Sequence, residues 1–295
     1  MKRVSDIDLR LLRVFVSVVE AGGYGAAQAA LNIGTSTISL HMSDLEARLG
    51  FRLCSRGRGG FQLTEQGRLA YEETKRFLAY MDEYVGQLAA LRSELAGKLV
   101  IGAVDALLTH PEFPVTNAIR RFNQQAHHVH LELVVTSRDE LERGVLDGSI
   151  HVAVVPYLRQ VDGLHFKPLF NERHELYCGR GHPLFDCAMK AIPEAVLASH
   201  RFVLRRYQAE QDRVRFANAE HGATIQTMEA MLTLLLTGSY VGFLPDHYAA
   251  EWVKRGELRA INAETLGYSS RHMLILPTAR PLTHALGTFL KLIPS

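Results

Sequence analysis

The stretch from Tyr24 to Leu49 constrains the fold of this chain more than any other. An alanine-rich segment, Ala26 to Leu31, predicts a short helix that Asn32-Ile33-Gly34 interrupts. In a second helix, apolar residues recur at helical spacing and form a stripe that faces the protein: Ile38, Met42, Leu45 and Leu49. Its outward or N-terminal positions are Thr35, Ser36, Ser39, Leu40 and Ser43. Thr35 and Ser36 can cap the helix with their hydroxyls, and Gly34 is also tolerated at the cap position. Two helices around a tight turn, the second with an exposed polar start, have the geometry that enters the DNA major groove.

Many proteins contain two short helices around a glycine turn and never bind DNA. The residues that follow the helices here favour the DNA-binding interpretation. Four arginines stand against one acid, Glu65, in the next twenty residues: Arg52, Arg56, Arg58 and Arg68. The run from Arg56 to Gly60 predicts a hairpin tip between Phe51–Cys54 and Phe61–Leu63. A basic hairpin beside a reading helix is a wing, whose Arg52, Arg56 and Arg58 would bind phosphates without reading sequence.

Residues 7 to 64 resemble the winged helix-turn-helix of LysR-type transcriptional regulators. Three runs carry the resemblance: DLRLLRVFVSVVEAGGYGAAQAALNI, DLEARLGFRLCSR and GFQLTEQG. The chain departs from the usual family pattern at Gly34-Thr35-Ser36, at Leu40-His41 and at Cys54, where the family favours Phe. These changes remove long hydrogen-bond donors from the reading face, so the resemblance carries over no base preference. Leu40 can instead contact a thymine methyl group.

A long helix is predicted from Thr64 to about Leu95, and its apolar residues follow a heptad pattern. They are Phe77, Met81, Tyr84, Leu88, Leu91 and Leu95. The stripe could cover the helix's own domain, but a long one-sided stripe between two domains favours pairing with a second copy. We therefore expect a homodimer, and a dimer of dimers by resemblance to the family, on promoter DNA with inverted half-sites. RNA polymerase is a further potential partner of such a regulator.

The remainder of the chain alternates short apolar strands with amphipathic helices, which predicts α/β architecture. It resembles the two-lobed, periplasmic-binding-protein-like effector domain of the same family, with crossovers at Pro156–Leu164 and Leu266–Ser270. The predicted domains are residues 1–64 for DNA binding, 65–96 for the linker helix, with a hinge at Ala96-Gly97-Lys98, and 97–295 for effector binding. Within the last, lobe I takes about 97–160 and 268–295, and lobe II takes about 161–267.

Four loops are expected to converge on the cleft between these lobes. The candidate effector contacts are Asp105, Ala106, Thr136, Ser137, Arg138, Arg205, Arg206 and Thr227. Hydroxyls and amides at helix starts, with arginines nearby, favour a small organic anion. Each arginine could instead be an ordinary surface cation, and Asp105 would oppose an anion, so an amine-bearing or zwitterionic ligand stays open.

Composition and motifs narrow the remaining function classes. The chain is globular in composition, with a net charge of only +2, so a DNA contact must be local. It has neither a signal peptide nor an apolar run of roughly 20 residues, so we expect a cytoplasmic protein without a membrane partner. Three scattered cysteines, Cys54, Cys178 and Cys187, are expected to be reduced, although Cys178 and Cys187 are close enough in sequence for a redox pair.

No nucleophile, phosphate-loop or metal motif is present, so neither an enzyme nor a cofactor or metal site is expected. His127-His128-Val129-His130 is interpreted as a solvated strand entry. The alternative to a DNA-binding regulator is a cytosolic two-lobed solute-binding or enzymatic domain whose N-terminal helices serve only in assembly.

Overall fold

The structure is a computed structural model, and it describes residues 6–57, 60–90, 95–187, 192–215, 219–280 and 282–294. The chain divides into two compact units. The first comprises residues 1–88 and 147–149, and the second is built from residues 89–146 and 150–295.

The first unit is a small helical domain with a two-stranded hairpin. Its elements are α1 (Asp6–Glu20), α2 (Tyr24–Leu31), α3 (Thr35–Leu49), β1 (Cys54–Gly57), β2 (Gly60–Leu63) and α4 (Glu65–Ala90). The predicted stripe of α3 is buried at Ile38, Met42 and Leu45, but Leu49 is 41% exposed because the helix ends there. The inner face of α1 is formed by Leu11, Val14, Phe15 and Val18, which are all buried.

The turn between α2 and α3 depends on backbone conformation rather than on a side-chain cap. Asn32 ends α2 in the left-handed region, with φ 51°, which asparagine tolerates better than most residues. Gly34 occupies the N-cap position of α3, as its sequence allowed, and no side chain caps the helix, so the expected hydroxyl cap from Thr35 or Ser36 is not formed. The turn therefore relies on Asn32.

The predicted hairpin is present, and it is attached to the helical core. Cys54 to Gly57 pairs antiparallel with Gly60 to Leu63, so the first strand begins later than the predicted Phe51. Glu46 of α3 accepts hydrogen bonds from the backbone N–H groups of Leu53 and Cys54, at 2.7 and 3.2 Å. The Phe61 ring packs edge-on against Tyr24, with centroids 5.9 Å apart. These contacts hold the wing beside α3.

The long helix α4 begins as predicted, and its last described helical residue is Ala90. Leu91 lies outside the described residues. Leu95 is not helical: it precedes β3 (Ala96–Ala103) and packs against the core of the second unit, so its assignment to the helical seam is wrong. Ala96-Gly97-Lys98 is likewise part of β3 rather than a hinge.

The second unit is a mixed sheet flanked by helices. Its further strands are β4 (His128–Val135), β5 (Val152–Pro156), β6 (Leu164–Gly179), β7 (Arg201–Arg205), β8 (Glu220–Ile225), β9 (Val241–Pro245), β10 (Leu258–Ile261) and β11 (Tyr268–Pro277). Its helices are α5 (Val115–Asn123), α6 (Arg138–Asp147), α7 (Glu194–Ala198), α8 (Ala209–Arg215), α9 (Met228–Leu236), α10 (Asp246–Lys254), α11 (Ala263–Leu266) and α12 (His284–Leu290), with short 3-10 turns at Leu107–Thr109 and Arg206–Gln208. The described strands run in the order β4-β3-β5-β11-β6-β9-β7-β8, with β10 also paired to β6.

Two long antiparallel strands, β6 and β11, connect the lobes. Residues 164–174 of β6 pair with β11, whereas its last residues pair with β9 and β10. Leu164, Phe166 and Phe170 pack in the cores that also contain β3 and β5. The predicted start of lobe II at residue 161 is therefore too early, because the chain crosses between lobes inside β6, near residues 171–174, and not in the loop before it.

Candidate functional site

The outward face of α3 is largely exposed at its N-terminal end. Leu40 is 68% exposed, and Thr35, Ser36 and Ser43 are also exposed, while Ser39 is half-buried. Leu40 thus lies among small hydroxyl side chains, on the helix face opposite the buried stripe. It is accessible to a binding partner. The helical spacing of the apolar residues predicted this face, because the spacing that places one set of side chains inward places the others outward.

Of the predicted phosphate contacts, Arg52 is exposed directly before the wing. Arg56 lies in β1, but its side chain, like Arg58, falls outside the described part of the chain. Thr64 fixes the base of the wing by donating its hydroxyl to Arg52 O (2.7 Å) and accepting from Gly67 N (2.8 Å). Gly67 cannot be replaced cheaply, since a Cβ there would lie 1.9 Å from Leu53 O.

The α4 helix carries exposed apolar side chains. Phe77, Tyr84 and Leu88 of the predicted seam are between 37% and 55% exposed, and Met81 is half-buried. Large apolar residues left uncovered along one helix are typical of an interaction surface.

In the second unit, a narrow cleft lies where the predicted loops meet, and its cavity volume is about 40 Å³. Its lining includes Val104, Asp105, Thr136, Ser137, Arg138, Glu172, His174, Gln208, Gln226, Met228, Ser270 and His272. Arg206 and Thr227 lie at an adjoining opening together with Asp105 and Ser137. Of the other two candidates, Ala106 is half-buried with φ 64° beside Asp105, a costly conformation for alanine, and Arg205 is buried behind the cleft.

The start of α6 is occupied by a carboxylate of the chain itself. Thr136 and Ser137 both donate their hydroxyls to Glu140, Ser137 at 2.9 Å. These hydrogen bonds lower the pKa of Glu140 and keep it ionised. The two hydroxyls predicted for an anionic ligand thus already bind an anion.

The start of α9 is capped in the same way from the other lobe. Asp105 accepts a 2.5 Å hydrogen bond from Met228 N, while Thr227 caps Ala230 N at 3.3 Å. Burial raises the pKa of the Asp105 carboxyl above its usual value, against these hydrogen bonds. Asp105 therefore connects the loop after β3 to α9 across the cleft.

Two of the three candidate arginines are engaged with acids. Arg138 forms a buried ion pair with Glu142, one turn along α6. Arg205 binds Asp212 through two of its nitrogens, at 3.0 and 2.5 Å, and also donates to the Tyr268 hydroxyl. Among the described residues, Arg206 alone of the three has no acidic partner, and it is exposed.

A buried carboxylate surrounded by histidines lies where the chain passes from one lobe to the other. The sequence did not indicate this cluster. Glu172, only 3% exposed, lies 2.7 Å from His174 Nε2 and 2.9 Å from His247 Nε2, with His272 Nε2 at 3.8 Å. Burial alone would raise the pKa of Glu172, but hydrogen bonds from His174 and His247 hold it well below its usual range. Burial lowers the pKa of His174 and lowers that of His272 to about 4. The cluster is thus an ionised carboxylate with neutral histidines on β6 and β11.

Neither a metal cluster nor a membrane segment emerges from the described residues. No group of three or more His, Cys, Asp or Glu side chains there could hold a metal ion, and His127, His128 and His130 are exposed. No described helix is long and apolar enough to cross a bilayer. Burial raises the pKa of Cys178 to about 11, so this thiol is poorly reactive.

Comparison with known families favours a regulator over a two-lobed enzyme. Residues 9–68 match the helix-turn-helix of bacterial regulatory proteins of the lysR family, and residues 92–294 match the LysR substrate binding domain. The chain belongs to the LysR family. It is a LysR-type transcriptional regulator with a DNA-binding helix-turn-helix and an effector-binding domain, as the motifs predicted.

Relatives of this LysR-type regulator cover nearly its whole length. The HTH-type transcriptional activator BauR of Pseudomonas aeruginosa is 39% identical over 99% of this chain and 96% of its own. The SDS degradation transcriptional activation protein of a Pseudomonas species is 28% identical over 94% and 92%. The crystal structure of CbnR, a LysR family transcriptional regulator, superposes with a TM-score of 0.67 at 20% identity, covering 97% of each chain. The relatives are regulators rather than enzymes, and the structural likeness confirms the fold.

Proposed function

We propose that this LysR-type regulator reads promoter DNA with the N-terminal end of α3 and binds phosphates with the wing. Thr35, Ser36, Ser39, Leu40 and Ser43 face the bases, and Arg52, Arg56 and Arg58 bind the backbone. The observation that supports this most directly is the exposure of Leu40 opposite the buried Ile38 and Met42. Full-length CbnR has been crystallised with its target DNA, and that structure superposes here with a TM-score of 0.65.

Two exposed leucines on α3 offer a matched test. Leu40→Ala removes the predicted contact with a thymine methyl, whereas Leu49→Ala removes an exposed leucine at the far end of the same helix. Binding to random-sequence DNA, followed by sequencing of the bound molecules, measures base preference for both variants. The expected result is a motif altered at one position per half-site for Leu40→Ala and an unchanged motif for Leu49→Ala. Equal motifs from the two variants would remove Leu40 from the reading face.

The proposed assembly is a homodimer through α4, and further a dimer of dimers. Exposed Phe77, Tyr84 and Leu88 supply the seam, with Met81 between them. Leu91 continues the heptad spacing beyond the described helix. A two-fold dimer presents two reading heads, so its operator contains two inverted half-sites. We assign residues 1–64 to DNA binding and α4 to dimerisation.

Sedimentation of a Tyr84→Glu, Leu88→Glu variant tests the seam. Buried charges at two seam positions should shift the protein to monomer, because each glutamate would be desolvated without a partner. Val253→Glu is the control, since Val253 is comparably exposed on α10 in the effector domain. A double variant that sediments like the wild type excludes α4 as the dimer interface.

We place effector binding in the cleft that Asp105 and Arg138 line. A ligand changes DNA binding only if it binds open and closed lobes with different affinity. Because both relatives described above are activators, the proposed output is activation, with RNA polymerase as the partner at the promoter. A promoter fusion transcribed with purified polymerase should give more transcript with the protein than without it; less transcript would make the protein a repressor.

A further inference from the structure

The cleft contains an excess of hydrogen-bond acceptors without donors. His174 donates its Nε2–H to Glu172, which leaves Nδ1 as a bare acceptor. That Nδ1 has no hydrogen-bond partner, although His174 is only 5% exposed. The Oε1 atom of Gln208, another lining residue, is also buried without a partner. Buried acceptors of this kind are costly unless something donates to them.

The charges around the cleft also favour a ligand that donates hydrogen bonds and carries positive charge. Asp105 and Glu172 are the carboxylates that line it, and Arg138 is the one arginine or lysine among the described lining residues. Glu142 already neutralises Arg138. His174 and His272 are neutral near pH 7, because burial lowers the pKa of each. The residues that line the cleft therefore carry more unneutralised negative than positive charge, and two of them contain acceptors without a donor.

We propose that the effector of this regulator carries a primary ammonium group, which binds in the cleft against Asp105 and the free acceptors of His174 and Gln208. An ammonium group supplies three N–H donors and one positive charge, which matches this set of acceptors. The inference rests on the effector site proposed above and specifies its ligand class. It differs from the anion expected from the loop sequences, because Glu140 and Asp105 occupy the helix starts that an anion would use.

One donor in the cleft indicates what the rest of the ligand can be. Arg138 Nε is buried and has no hydrogen-bond partner. It can donate to a carboxylate at the other end of a zwitterion. Amino acids should therefore bind more tightly than simple amines of the same length, and carboxylic acids without the amine should bind least.

Calorimetric titration of the full-length protein tests this order with three homologous series. The probes are the linear ω-amino acids from glycine to 6-aminohexanoate, the amines from ethylamine to hexylamine and the acids from acetate to hexanoate, each up to its solubility limit. Saturable binding is expected from at least one amino acid or amine, and tighter than from the acid of equal length. Binding by the acids alone, or by no ammonium compound, would overturn the proposal.

Asp105→Asn locates the site. Asparagine still accepts the Met228 N–H bond, so the cap of α9 is kept while the charge is lost. The affinity for the best ammonium probe should fall at least about tenfold, as expected for a charged hydrogen bond. Asp162→Asn, an exposed carboxylate outside the cleft, should leave it unchanged. Equal affinity in both variants would place the ammonium elsewhere and overturn the assignment.

Selection of genomic DNA fragments with the same protein preparation tests the ammonium proposal and the DNA-reading proposal separately. Specific DNA sites together with acid-only binding would reject the ammonium proposal and keep the regulator. Ammonium binding without any DNA preference would reject the proposed reading face instead.

Discussion

The DNA-reading face of α3 and the cleft of the effector domain place their polar residues in opposite ways. In α3 the stripe of Ile38, Met42 and Leu45 is buried, whereas Leu40 and most of the small polar side chains on the opposite face are exposed. In and behind the cleft, acids and bases are buried and bind one another, as Glu172 does with His174 in the lining and Arg205 with Asp212 behind it. The first arrangement exposes side chains to an external partner. The second fixes the charges around a cavity, because the buried acids and bases bind one another. Mutations should therefore change recognition in the first region and stability in the second.

The buried pair of Arg205 and Asp212 should give the largest loss of stability. Arg205→Met leaves Asp212 as an unpaired buried charge, which costs about 3–5 kcal/mol. Replacing both residues, as Arg205→Met with Asp212→Leu, should recover most of that loss. Urea unfolding of the full-length variants measures both free energies. A single variant as stable as the wild type would show that the pair is solvated, which would break the contrast between the two regions.

Within α3, the two faces should separate stability from recognition. Ile38→Ala creates a cavity in the helical core and should cost about 2–5 kcal/mol. Leu40→Ala removes a side chain that is 68% exposed and should change stability by less than about 0.5 kcal/mol. Thermal unfolding compares them directly. A large loss from Leu40→Ala would mean that this face packs against the protein.

The histidine cluster makes the effector domain sensitive to acid. The pKa of His272 falls from 6.5 to about 4 on folding, so the unfolded chain binds more protons between those values. Stability should therefore fall as the pH drops from about 6.5 to 4, by up to about 3 kcal/mol from this residue. His272→Phe keeps the stacking on Phe170 and should flatten part of that dependence, whereas His130→Phe, at an exposed site, should not. Equal pH profiles for the two variants would contradict the buried neutral histidine.

The smallest effect is expected from a wing arginine. Arg52→Ala should weaken binding to all DNA sequences by a similar factor, about fivefold for roughly 1 kcal/mol. The slope of log affinity against log salt should also decrease by about one. Fluorescence anisotropy with operator and unrelated DNA at several salt concentrations measures both. A loss confined to the operator would assign Arg52 to base reading.

Local spacing predicted the first region better than the second. Ile38, Met42 and Leu45 form a stripe because one helix contains them, and only Leu49, at the helix end, departs from it. In the second region, Pro168 interrupts the strand pattern of β6 at a register shift opposite His272 and Met273, so local spacing does not indicate one continuous strand there.

The cleft network needed contacts that are remote in sequence. Glu172 and His247 are 75 residues apart, and Asp105 caps Met228 across 123 residues. The alternation of polar Glu172 and His174 inside a strand was the signal available, but it does not specify that both point inward or that His272 lies beside them. Loop residues could be placed near the cleft from sequence, while their partners could not.

Sequence-specific binding by a dimer is the central claim, and selection from genomic DNA tests it most directly. Purified full-length protein is mixed at near-physiological salt with sheared DNA from its own source, and the bound fragments are sequenced. We expect strong enrichment of a few sites that share an interrupted inverted repeat. Uniform recovery of fragments, or recovery of none, would contradict it.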